Sequence, residues 1–66
     1  MEVVIIEKAT RRVIGSFLAN WKVTFDQAMY HADFIFVEGR GWTSNGVTFY
    51  NENNVEIVTQ PIIDLI

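Results

Sequence analysis

The chain has 66 residues, no cysteine, one histidine and a formal net charge of −3, and half of its residues are apolar. That inventory excludes a disulfide framework and a His/Cys zinc centre. It also disfavours a nucleic-acid surface, which lysine and arginine would have to dominate. A chain this short buries only about 60% of the surface its unfolded form exposes, and ordering it costs on the order of 100 kcal/mol at roughly 1.5 kcal/mol per residue. One domain over 1–66 is expected, stabilised by apolar packing alone or with a partner. No stretch approaches the roughly 20 consecutive apolar residues of a spanning helix, and Met1-Glu2-Val3 lacks the basic start of a secretory signal. A cytoplasmic location with no membrane contact is therefore expected.

Glu2-Val3-Val4-Ile5-Ile6-Glu7 is a β-branched run that predicts a strand with both faces covered. Arg12-Val13-Ile14-Gly15-Ser16-Phe17-Leu18 reads as its hairpin partner across Lys8-Ala9-Thr10-Arg11, which sets Glu7 opposite Arg12 as an opposite-charge pair. Thr24-Phe25-Asp26-Gln27 matches the capping box, with Thr24 as N-cap and a Val23/Ala28 staple. Phe25, Ala28, Met29 and Ala32 then form one apolar stripe on a helix that ends near Asp33.

Phe34-Ile35-Phe36-Val37 predicts a third, central strand, closed by the turn Glu38-Gly39-Arg40-Gly41. Asn45-Gly46 predicts a hairpin turn into a strand over Val47-Thr48-Phe49-Tyr50, and Asn51-Glu52-Asn53-Asn54 a second turn before Val55-Glu56-Ile57-Val58-Thr59. Pro61 ends that strand and leaves an apolar tail over 62–66. The expected class is α+β, a small ββαβββ domain with one mostly antiparallel sheet and a single helix packed on one face.

One short helix covers one sheet face, so the other face needs a cover. Three candidates are the tail, a second copy of the chain, or a different protein, and self-association is favoured because the monomer is short of core. The residues it would use are Val4, Ile6, Ile14 and Leu18, or Val3, Ile5, Val13 and Phe17 if the faces are reversed, joined by Ile62, Ile63 and Leu65.

Catalytic chemistry finds little to work with. His31 sits on the helix side away from the stripe and reads as solvated, and Asp33 or Glu38 do not share its face as metal partners. Ser16 and Ser44 lack a nucleophile-elbow frame. Gly39-Arg40-Gly41 matches no phosphate loop, and Lys8, Arg11 and Arg12 read as a solvated turn. No catalytic residue, metal or cofactor is expected.

Aromatic side chains are the more suggestive group. Trp21, Tyr30, Trp42 and Tyr50 fall at loops, helix flanks or turns, where Trp and Tyr either close a core or anchor a partner. Over five residues, Ile62-Ile63-Asp64-Leu65-Ile66 resembles the short apolar peptides by which bacterial replication proteins dock on the sliding clamp, but Ile62 replaces the glutamine of that pattern and Ile66 its aromatic. The expected function is a non-enzymatic protein-binding module, a small regulator or inhibitor that occupies a partner's surface, with Trp21, Trp42, Tyr50, Ile62, Ile63 and Leu65 as contact residues. The alternative is a module that stacks Trp and Tyr on single-stranded nucleic acid or carbohydrate.

Overall fold

In the computed structural model, which describes residues 1–61, strands β1 (Glu2–Glu7) and β2 (Arg12–Leu18) form the expected hairpin. Helix α1 (Phe25–His31), the short strands β3 (Ile35–Val37) and β4 (Gly41–Thr43), and β5 (Val55–Gln60) follow. The class is α+β, in ββαβββ order with antiparallel pairing throughout. The strands divide into two sheets rather than the single one expected: β2-β1-β5, and a separate β3-β4 pair.

Strand β1 is central, and Glu7 lies opposite Arg12. The corner closes through Arg11, whose φ of 62° lets its N–H donate to Glu7 O at 2.8 Å. A bulge interrupts β2 between Gly15, opposite Ile5, and Val13, opposite Ile6. Ile14 is the extra residue, and it turns toward the core.

Val3 and Ile5 are fully buried beneath the helix, together with Ala28, Met29 and Phe34. The expected stripe is the packed one, with Phe25 and Ala32 half-buried at its ends. The capping box forms: Thr24 Oγ1 accepts from Gln27 N–H at 3.3 Å, and Gln27 Oε1 accepts from Thr24 N–H at 3.1 Å. The other end is a Schellman turn, in which Asp33 N–H donates to Tyr30 O and Phe34 N–H to Met29 O. Asp33 takes the left-handed position there at φ 68°, which stops the helix short of it.

Two predicted elements are corrected. The strand through Phe34–Val37 is not central, because the turn at Asp33 sends it away from β1 to pair only with β4, leaving Ile35 and Phe36 exposed. No strand forms over 47–50, and β4 is instead Gly41–Thr43. The reason is local: Asn45 Oδ1 accepts from the N–H groups of Val47 at 2.8 Å and Thr48 at 2.9 Å, and Thr43 Oγ1 accepts from Asn45 and Gly46. Those amides are taken by side chains before a ladder can use them. Only Tyr50 rejoins, exchanging both backbone bonds with Trp42 at 2.7 and 2.8 Å. Gly41 permits that approach, since a Cβ there would lie 2.6 Å from Tyr50 O.

Candidate interaction surface

With Val3 and Ile5 facing the helix, strand alternation turns Val4 and Ile6 to the opposite side. Cross-strand register places Leu18 and Val13 of β2 and Val58 of β5 on that side with them. Val13 is 61% and Leu18 68% exposed, and the other three are half-buried. Of the two residue sets expected from sequence, this is the one containing Val4, Ile6 and Leu18. The bulge makes one exchange, since Val13 replaces Ile14 on the open face. Polar groups rim it: Gln60 donates to Glu2 at 2.8 Å, and Arg11 bonds Glu56 at 3.0 Å.

At the Leu18 corner the apolar surface turns the edge of the sheet. Met1, Leu18, Ala19, Asn20 and Trp21 line a shallow hollow of about 310 Å³ there. Trp21, 42% exposed, packs edge-on against His31 with ring centroids 5.3 Å apart. The His31 ring also meets Phe17 and Tyr30, each at 5.6 Å. His31 is exposed as its helical position implies, but it stands among three aromatic rings rather than in solvent alone. Sequence reasoning missed this, because Phe17 and Trp21 reach it only through the tertiary fold.

The remaining contact residues expected from sequence fall in different places. Trp42, half-buried, packs against the core and lies 5.4 Å from Phe36. Tyr50 also packs on the core, edge-on to Phe34 at 6.0 Å. Neither joins Trp21 in one patch. Ile62, Ile63 and Leu65, the tail as a cover for the sheet, and the peptide-like resemblance all lie outside the described residues.

Tyr50 also makes a polar contact with Glu7. Its hydroxyl donates to Glu7 Oε2 at 2.8 Å, while the Thr10 hydroxyl donates to Glu7 Oε1. The Thr10 bond first and then the Tyr50 bond lower the Glu7 pKa; burial opposes them, and the charge of Arg12 adds the smallest, lowering effect. Burial, followed by the bond to Glu7 and its negative charge, raises that of Tyr50. With both oxygens engaged, Glu7 is an ionised tie rather than a free base. Beside this pair lies an open cavity of about 480 Å³, lined by Glu7, Lys8, Thr48, Phe49, Tyr50 and Asn53 among others. Arg40 stands over the Phe49 ring at 5.5 Å.

Among the described residues no three His, Asp or Glu side chains gather as a metal-binding group, and no helix is long and apolar enough to cross a membrane. No protein-family model, curated protein or solved structure matches the chain.

Proposed function

We propose that this chain is a non-enzymatic protein-binding module of the cytoplasm, a small regulator or inhibitor that acts by occupying a partner's surface and that also associates with itself. The observation that carries the reading is the open sheet face, where Val4, Ile6, Val13, Leu18 and Val58 lie together and continue past Leu18 to Trp21. Apolar groups gathered in this way on a small domain mark an interaction surface rather than incidental exposure. Trp21 supplies the rigid aromatic anchor that such surfaces favour, and the acidic net charge suits a protein partner better than a phosphate backbone.

The test is paired affinity capture from the native host, with the wild-type chain and a Val13→Asp/Leu18→Asp variant as baits. Both residues are exposed, so the core is untouched. A protein retained by the wild type and lost by the variant supports the reading. Identical retained sets count against it.

The cavity beside Glu7 favours a second reading, a site for a small polyhydroxylated ligand. Phe49 and Tyr50 supply aromatic surface, and Lys8, Thr48 and Asn53 supply hydrogen-bonding groups of both kinds. Amide shifts of these residues on titration with simple saccharides would separate it from the first reading, which expects none.

A further inference from the structure

Two contacts at the ends of the larger sheet fix the direction of its peptide groups. Met1 and Ala19 exchange both backbone bonds, at 2.8 and 2.9 Å, and Lys8 N–H donates to Asn54 O at 2.9 Å. Peptide directions alternate along an antiparallel ladder. Val3 and Ile5 therefore turn their backbone groups toward β2, while Val4 and Ile6 turn theirs toward β5. On β5, Glu56, Val58 and Gln60 bond to β1, being opposite Ile6, Val4 and Glu2. Val55, Ile57 and Thr59 direct their N–H and C=O groups outward, and among the described residues no strand pairs with them; Val55 is a core residue only 4% exposed, so the open part of this edge is Ile57 and Thr59.

The two edges of this sheet differ. Strand β2 is broken by the bulge at Ile14, a common device against unwanted pairing. Strand β5 keeps an unbroken register with β1 along all 6 of its residues. A regular, unpaired edge is a template for another strand. We infer that a second copy of this chain pairs antiparallel on the outer edge of β5, about a twofold axis through Ile57. The inference rests on the self-association in the reading above and assigns it a surface.

Pairing about Ile57 is self-complementary. With Ile57 opposite its own copy, Val55 falls opposite the partner's Thr59, and every outward N–H of both strands meets a carbonyl. Moving the axis to Val58 would set Val55 against the partner's Pro61, which has no N–H to give. On the open face, Glu56 falls opposite the partner's Val58, so no like charges oppose each other. Glu56 is moreover already paired with Arg11. The joined sheet makes the two apolar open faces continuous.

The test is amide hydrogen exchange at concentrations that sedimentation velocity shows to be monomeric and associated. Exchange at Ile57 and Thr59 should slow by at least about tenfold on association, with little change at Ser16 and Leu18 on the β2 edge. Thr59→Pro removes an outward N–H while sparing the bonds to β1, and Thr59→Lys places a charge on the edge without altering the backbone. Each should weaken association by about tenfold or more. Association with unchanged exchange at Ile57 and Thr59 would overturn the edge assignment but leave self-association standing. A single species near 7.6 kDa up to about 100 micromolar would overturn both.

Discussion

The Tyr50 hydroxyl and the Glu7 carboxylate, 43 positions apart in sequence, meet at 2.8 Å and fasten the segment after β4 to the end of β1. Because the folded state lowers the Glu7 pKa, its contribution to stability is present above the ordinary value of 4.5 and is lost as pH falls through the folded value. The raised Tyr50 pKa has the opposite sense. Its contribution is complete below the ordinary value of 10.0 and is lost as pH rises through the folded one. Denaturant unfolding across pH should show both limbs in the wild type. In Tyr50→Phe the alkaline limb should disappear and the acid limb should flatten.

Thr24→Ala should cost about 1 kcal/mol, because it removes the side-chain acceptor of the helix N-terminus. Gln27→Ala removes the reciprocal bond and should cost less. Urea unfolding of the two variants and the double variant measures how strongly the halves of the box depend on each other.

Gly41→Ala should destabilise by about 2 kcal/mol or more, since φ is 119° and the added Cβ would lie 2.6 Å from the Tyr50 carbonyl oxygen. Gly46→Ala is the control, with φ 77° but open space around its Cβ, and should cost only about 1 kcal/mol. Only the Gly41 variant should also lose near-ultraviolet dichroism from Trp42 and Tyr50, because it alone breaks their backbone pairing.

Asp33→Gly should stabilise the chain by up to about 1 kcal/mol, a rare gain from adding glycine. Asp33 holds a left-handed conformation at φ 68° in the turn that ends the helix, where glycine meets no Cβ penalty. Thermal melts of the two proteins would register the difference as a higher Tm. An unchanged or lower Tm would mean that the unfolded-chain entropy of glycine outweighs the relief.

Elements fixed by short-range chemistry were legible from residues alone. The cap at Thr24, the stripe from Phe25 to Ala32 and the register of Glu7 opposite Arg12 each depend on near neighbours in the chain, and each forms as read, although the Glu7 carboxylate bonds Thr10 and Tyr50 rather than Arg12. The segment 44–50 was not legible, because Asn-Gly serves a hairpin turn and a side-chain hub equally well, and Thr43 two residues earlier decides between them. The candidate surface divided in the same way. Alternation grouped Val4, Ile6 and Leu18, whereas the bulge that exchanged Ile14 for Val13 left no local signature. Trp21 and Trp42 look alike in sequence, yet only the fold leaves one at the surface and packs the other on the core.

That bulge also bears on how the chain could vary in length. Ile14 is a supernumerary position: with it removed, Gly15 and Val13 would still stand opposite Ile5 and Ile6, and the corner from Lys8 to Arg11 would be unaltered. A relative one residue shorter at this point would forfeit an aliphatic contact to the core but keep the same outward-facing side chains. The hairpin thus contains one place where a one-residue deletion is absorbed without re-sorting its two faces. Elsewhere along β1 and β2 the same change would slip the register and turn core residues to solvent.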